Sequence, residues 1–239
     1  MTDHHDQQGT VVVTGAAGGI GQAITTELLH RGYTVLGVDL APTVADDLAA
    51  MGERARGVRA DLTSAEGRTA VLDGLGDGEV AGLVNCAGIT RDGLLRDLDD
   101  EAVALVLEVN AVAAARLAEV LAPRITDGGA IVNIASRAAL GNVGQVNYAT
   151  SKGMLIGLSR ALARQLAPKV RVNAVAPGLI ATDMTAAMPE KVLDKLVARV
   201  PLARMGEPAE VATAVADLLG PSSAYVTGQT VFVCGGRSI

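Results

Sequence analysis

The sequence predicts an α/β protein, a single domain built on a parallel sheet with helices on both faces. Short Val-rich runs alternate with longer amphipathic stretches through the first half, and strand signals continue nearly to the C-terminus. The first run leads directly into a glycine-rich turn that opens a helix. No linker, charge block or repeat divides the 239 residues, and 49% hydrophobic with 19% charged is the composition of a chain with a core, not of a disordered one.

Seven apolar runs are expected as strands, at 10–14, 34–39, 57–60, 82–85, 130–135, 170–176 and 230–233. Helical periodicity falls between them at 20–30, 44–51, 65–75, 101–125, 148–166 and 209–218. Glu207-Pro208 starts the last of these, because proline is tolerated in the first helical turn. The stretch 177–206 has no strand signal and one short helical pattern at 189–200. A substrate lid over 178–206 and an ordinary peripheral helix both fit it.

Residues 1–9 read as a polar, acidic segment ahead of the domain at 10–239, with no apolar stretch of an export signal. No later segment is long and apolar enough to span a membrane. A formal charge of -6, with Tyr33, Tyr148, Tyr225 and Phe232 as the whole aromatic set, argues against nucleic acid as a partner. Cys86 and Cys234 could pair, but a chain without an export signal points to a reducing compartment where both are small buried residues. A cytoplasmic protein without a metal site is expected.

Thr14-Gly15-Ala-Ala-Gly18-Gly19-Ile20-Gly21 joins the first strand to the first helix. Glycines there permit a tight turn, bring backbone N–H groups up to a pyrophosphate and let helix pack closely on strand. The bland reading is a tight turn with no ligand; the strand-turn-helix context favours a dinucleotide. Asp39 ends the second strand, 24 residues beyond Gly15, where a carboxylate can accept hydrogen bonds from the adenosine ribose and would repel the 2′-phosphate of NADP. Its alternative role is to cap the turn before Ala41-Pro42.

Tyr148 and Lys152 are four apart on one helical face, and Ser136 follows the fifth strand at the edge where open α/β sheets bind ligands. A phenol with a pKa of ~10 serves as an acid-base near neutrality only if lowered by ~3 units, roughly 4 kcal/mol, which a neighbouring ammonium and an oxidised nicotinamide can supply. Alone, Tyr-x-x-x-Lys is more often a solvated helix face.

With these motifs the chain resembles the short-chain dehydrogenase/reductase superfamily over essentially its whole length. The resemblance implies a Rossmann-type doubly wound sheet in strand order 3-2-1-4-5-6-7. It also implies a cofactor cradle of Gly15, Gly19, Ile20 and Gly21, with Asp61 beside the adenine and Asn85-Cys86-Ala87-Gly88 lining the cofactor. Asn110, Ser136, Tyr148 and Lys152 match the family's catalytic tetrad, and Pro177-Gly178 and Thr182 match the segment at the nicotinamide end. In that tetrad Tyr148 transfers the proton, Ser136 orients the carbonyl, and Lys152 bonds the nicotinamide ribose and lowers Tyr148. Asn110 opens its helix and holds a relay water. A homotetramer using the 101 and 148 helices is implied as well. Bland alternatives remain for three residues: Asp61 shapes the loop before a Thr63-x-x-Glu66 capping box, Asn110 satisfies a backbone carbonyl, and Cys86 is inert.

The likeness is closest to 3-oxoacyl-[acyl-carrier-protein] reductases, through 141–148, 172–178, 204–208 and 225–229. The implied activity is hydride transfer between a dinucleotide and a 3-oxoacyl or 3-hydroxyacyl thioester. Another secondary alcohol, steroid or sugar, and a non-catalytic dinucleotide-sensing scaffold are the alternatives. NAD(H) is expected over NADP(H), because NADPH-using members carry Arg at the place of Gly18 and lack an acid at that of Asp39. An acyl carrier protein is a disfavoured partner, since Asp127 and Pro168 stand where basic docking residues are usual. Arg137, Arg199 and Arg204 are alternatively placed for coenzyme A phosphates. Cys234 replaces the Asp of an Asp-Gly-Gly ending.

Overall fold

The computed structural model describes residues 8–239; residues 1–7 of the polar segment lie outside the described residues. Seven parallel strands form one sheet in the order β3-β2-β1-β4-β5-β6-β7, as the resemblance implied. They are β1 (Gln8–Thr14), β2 (Tyr33–Asp39), β3 (Ala55–Arg59), β4 (Val80–Asn85), β5 (Ile125–Ile134), β6 (Arg171–Pro177) and β7 (Thr230–Val233). The first half contributes helices α1 (Gly19–His30), α2 (Val44–Ala50), α3 (Ala65–Leu75) and α4 (Asp100–Leu107). The second contributes α5 (Ala113–Leu121), α6 (Val146–Leu166), α7 (Asp183–Ala186), α8 (Glu190–Val197) and α9 (Pro208–Leu219).

Val11, Val12 and Val13 of β1 are all 0% exposed, which requires cover on both faces of the sheet. Successive strand residues point to opposite faces, and the two cores follow that alternation. Val11 and Val13 pack with Ile24 and Leu28 of α1 and Val211 and Val215 of α9. Val12 packs with Val71 of α3 and Leu117 and Leu121 of α5. Strand order reverses at β1, between β2 and β4, and ligands of such sheets bind in the crevice this opens at the strands' carboxyl ends.

Three local expectations are corrected. The helix expected over 101–125 ends at Leu121, and, as the resemblance implied, it is opened by a π-turn, Glu108–Val112, where the Ala113 N–H reaches back five residues to the Glu108 carbonyl. Asn110, at its centre, is 1% exposed and bonded to the loop after β4, contacts that periodicity does not encode. β5 begins at Ile125, five residues before the expected start. Its register against β4 slips between the Val80–Ile125 and Gly82–Ala130 pairs, so Asp127-Gly128-Gly129 reads as a loop although the strand runs through it. The capping box at Thr63-x-x-Glu66 does not form: α3 is capped by Ser64, whose hydroxyl accepts the Gly67 N–H at 2.9 Å. A capping box does close α9 between Glu207 and Glu210, with Pro208 in the first turn.

Candidate active site

The crevice is assembled from backbone first. Gly15 sits at φ +66°, and a Cβ there would fall 2.8 Å from the Ala87 nitrogen. A Cβ on Gly21 would fall 2.0 Å from the Gly15 carbonyl oxygen, so α1 can approach the turn only with glycine at that position. Buried Thr14 ties the two lips together, its Oγ1 accepting the N–H groups of Cys86 and Ala87 at 3.0 Å each. The first turn of α1 holds no acidic residue and no side-chain cap, which leaves its N–H groups for an outside acceptor. Half-buried Ile20 packs against the core beneath, and Gly19 lies against Thr182, 3.6 Å from an added Cβ to Cγ2. A pyrophosphate fits this cradle.

Asp39 is half-buried at the end of β2 and faces the turn. Its Oδ2 accepts the Ala17 N–H and its Oδ1 the Ala41 N–H, both at 3.0 Å. The carboxylate therefore braces the turn before Pro42 and the glycine turn together. Each oxygen keeps a lone pair for further donors. Asp61 is exposed and held by Thr63, whose N–H and hydroxyl reach Oδ1 at 3.0 and 2.7 Å; these bonds keep its pKa below the usual carboxylate value. Asn85 turns inward, donating to Asn133 Oδ1 at 2.8 Å, while Asn133 donates to Ser159.

Ser136 leaves β5 next to the N-terminal turn of α6. Its Oγ accepts the Ala138 N–H at 3.1 Å, which leaves the hydroxyl proton free to donate. The Tyr148 phenol lies above its ordinary pKa because burial penalises the phenolate, and hydrogen bonding to Ser136 pulls it back only in part. Lys152 is 3% exposed, with Nζ 5.6 Å from the centre of the Tyr148 ring and donating to the Ile134 carbonyl at 2.8 Å. Desolvation lowers its pKa to about 8. In the free protein, then, burial dominates both groups, and the lowering of Tyr148 expected of Lys152 with an oxidised nicotinamide belongs to the cofactor-bound state.

Asn110 is held from three sides. Its Oδ1 accepts the Ile89 N–H at 2.7 Å, and its Nδ2 donates to the Ile89 carbonyl at 2.9 Å and to Ser151 Oγ at 3.0 Å. The helix is opened as the resemblance implied, and both amide N–H donors of the side chain are taken, by the Ile89 carbonyl and Ser151. Two contributors escaped the sequence reading. Ser151 Oγ links Asn110 to the Tyr148 carbonyl at 2.8 Å, and buried Asn147 accepts the Tyr148 N–H while donating to the Arg91 carbonyl, each at 2.8 Å. An Asn immediately before the Tyr was the available signal.

Comparison with known proteins agrees with this geometry. Residues 15–238 match the family model described as Enoyl-(Acyl carrier protein) reductase. The chain is 42% identical over 240 residues to a 3-oxoacyl-[acyl-carrier-protein] reductase FabG of Pseudomonas aeruginosa, covering 96% of this chain and 97% of that protein. It is 40% identical over 232 residues to the protein of that name from Vibrio cholerae, covering 94% and 95%. A Brucella melitensis structure titled short-chain dehydrogenase/reductase SDR:Glucose/ribitol dehydrogenase superposes with a TM-score of 0.93 at 33% identity over 97% of each chain.

The chain belongs to the short-chain dehydrogenase/reductase family. As a member it is an oxidoreductase of CH–OH and ketone groups that uses a nicotinamide dinucleotide. The family's nicotinamide-end segment is held tightly here: Gly178 donates to the Val233 carbonyl at 2.8 Å, and a Cβ on it would strike Cys234 at 2.7 Å. Burial would raise the Cys234 thiol, yet the Ser238 hydroxyl and the backbone N–H groups of residues 236–238 hold it below its ordinary value. The half-buried Cys86 thiol is pushed up to about 11 by desolvation, which keeps it inert as expected. A cavity of about 730 Å³ between His30, Arg31, Tyr33, Arg54 and Asp217 is lined by none of these site residues. Among the described residues no helix is long and apolar enough to cross a membrane.

The buried Lys152 ammonium carries a stability cost. Its folded pKa lies below its unfolded one, so between about 8 and 10.5 the unfolded chain holds more protons and stability rises with pH. Lys152→Met should therefore stabilise the ligand-free protein at pH 7 by about 1–2 kcal/mol after the lost bond to Ile134. The gain should be constant below pH 8, fall through zero near pH 9 and become a loss towards pH 10.5, as read by urea denaturation at several pH values. A destabilised variant at pH 7 would contradict the buried charge.

Proposed function

We propose that the protein interconverts 3-oxoacyl and 3-hydroxyacyl thioesters with NAD(H) preferred over NADP(H). The convergence of Ser136, Tyr148 and Lys152 beside the glycine cradle carries the reading. In this scheme the Ser136 hydroxyl donates to the ketone oxygen and fixes its position. Tyr148 gives that oxygen its proton in reduction and removes it in oxidation. Lys152 holds the nicotinamide ribose, and Gly15, Gly19, Ile20 and Gly21 hold the pyrophosphate. Asp39 and Asp61 meet the adenosine, Asn85, Ala87 and Gly88 flank the middle of the cofactor, and Pro177, Gly178 and Thr182 bound its nicotinamide end. The bound nicotinamide supplies or accepts the hydride. With both amide donors of Asn110 taken by Ile89 and Ser151, a relay water would rest on the backbone its π-turn opens.

NADH preference rests on Asp39, whose carboxylate, braced at the end of β2, would repel a 2′-phosphate on the adenosine ribose. The segment 178–206 serves as the lid; α8 within it buries no side chain. A homotetramer through the α4 and α6 face accords with exposed Leu105, Val146 and Met154 there, and light scattering at four times the chain mass tests it. For the carrier, Lys169, next to the expected docking position at Pro168, lies 3.6 Å from Asp127, which offsets its charge. Coenzyme A thioesters should therefore be used at least as well as acyl-carrier-protein thioesters. Measuring kcat/KM for one acetoacetyl group on the two carriers, at low and high salt, checks this. A large, salt-sensitive advantage for the carrier protein would overturn the carrier choice, and reduction of crotonyl but not acetoacetyl thioesters would overturn the ketone assignment.

A further inference from the structure

The expected cationic set Arg137, Arg199 and Arg204 is not the one that converges. Arg204 is taken by Glu210 through two bonds, at 2.8 and 2.6 Å. Arg237 takes its place. Gly235 and Gly236, both at positive φ, form the turn after β7, and segment 199–202 packs directly on it. A Cβ on Gly235 would lie 2.6 Å from Val200 and one on Gly236 2.9 Å from Pro201, while the Leu202 N–H donates to the Gly235 carbonyl at 3.1 Å. Arg199 and Arg237 are thereby brought to one corner. Arg137 follows β5, two strands from β7 at the same carboxyl edge, and its Cα lies about 3.8 Å from that of Ser136.

Among the described residues none of these three guanidiniums meets a carboxylate. Arg137 Nη1 reaches only the Gly141 carbonyl, at 3.3 Å, and its Nε is buried with no partner. A buried unpaired guanidinium donor costs free energy, and convergent like charges add to that cost. The Arg237 guanidinium is depressed first by its burial and then by the charges of Arg137 and Arg199.

We propose that Arg137, Arg199 and Arg237 form a subsite for a phosphate or carboxylate borne by the substrate, placed so that the anion docks while the ketone meets Ser136. Planar guanidinium forks suit both oxyanions. Naming the occupant as part of the substrate rests on the reductase reading above; the existence of the subsite does not.

Titration calorimetry of inorganic pyrophosphate into protein saturated with NAD⁺, which fills the glycine cradle, tests the subsite without turnover. Saturable binding is expected, weakened at least tenfold by Arg237→Met and by Arg199→Gln, the latter at an exposed position where folding is safe. No binding, or binding indifferent to both changes, would overturn the subsite. The source of the anion follows from kcat/KM on the neutral acetoacetyl thioester of N-acetylcysteamine, its analogue with a terminal acyl carboxylate, and acetoacetyl-CoA. An advantage for the carboxylate analogue that shrinks tenfold in Arg237→Met assigns the anion to the acyl chain. The same behaviour for acetoacetyl-CoA assigns it to the carrier's phosphates, and no advantage for either overturns the substrate role. Wild-type protein that binds pyrophosphate as described yet reduces no ketone would defeat the reductase reading and leave the subsite standing.

Discussion

Tyr148→Phe is expected to lower turnover at least ~100-fold, about 2.7 kcal/mol of barrier, while NADH affinity stays within a factor of about three. The change removes the phenolic oxygen and its proton and leaves the ring in place. The backbone bonds that seat the residue, from its N–H to Asn147 and from Ser151 to its carbonyl, do not involve the phenol. Lys152→Ala should damage both turnover and cofactor affinity, because its ammonium serves the ribose as well as the phenol. Steady-state kinetics with equilibrium dialysis of NADH separates the two outcomes, and near-normal turnover in Tyr148→Phe would remove it as the proton donor. In the free protein the phenol lies above its ordinary value, so the lowering that acid-base work needs belongs to the cofactor-bound state. The alkaline limb of the pH–rate profile should accordingly lie well below 10 when cofactor saturates.

The double variant Asp39→Asn/Gly18→Arg should reverse cofactor choice. Wild type should prefer NADH by about 30- to 150-fold, roughly 2 to 3 kcal/mol, as a carboxylate facing a phosphate in a partly desolvated crevice implies. Gly18 is at φ −78° with open space, an added Cβ meeting only the Gly15 oxygen at 3.5 Å, so arginine can be built there without strain. Asn is preferred to Ala at 39 because an amide oxygen can still accept the Ala17 N–H. Comparing kcat/KM for the two cofactors decides it; a wild type that uses NADPH as well as NADH would remove the role given to Asp39.

What could be read from the chain, and what could not, divides by whether the constraint is local. Gly15 and Gly21 were legible because a turn that packs helix on strand tolerates no Cβ there, and that demand is written in adjacent residues. Val11 to Val13 were legible as a doubly covered strand because continuous apolar runs have no solvent face. The π-turn at Asn110 was expected only through the family likeness, since the bonds its side chain makes reach Ile89, distant in sequence. The slipped register at 126–129 was missed because Gly128 and Gly129 look like a loop, and only the β4 partner shows that the strand continues. Asp39 braces the Ala41 turn, as its local reading had it, and its bond to the Ala17 N–H of the glycine turn is a contact that sequence order does not show. The arginine corner was half visible: Arg137 and Arg199 were singled out, but Arg237 joins them through a turn packed on 199–202, and Glu210 withdraws Arg204.

Deuterium placement follows the transferred hydride itself. The protein is incubated with NADH deuterated at C4 of the nicotinamide on the transferred face and an acetoacetyl thioester, and the product is analysed by mass spectrometry and proton NMR. The account predicts a 3-hydroxybutyryl thioester with one deuterium, on C3, formed in step with NADH consumed and at least ~100-fold more slowly by Tyr148→Phe. Deuterium at another carbon, or an unreduced ketone while NADH binds, would contradict it.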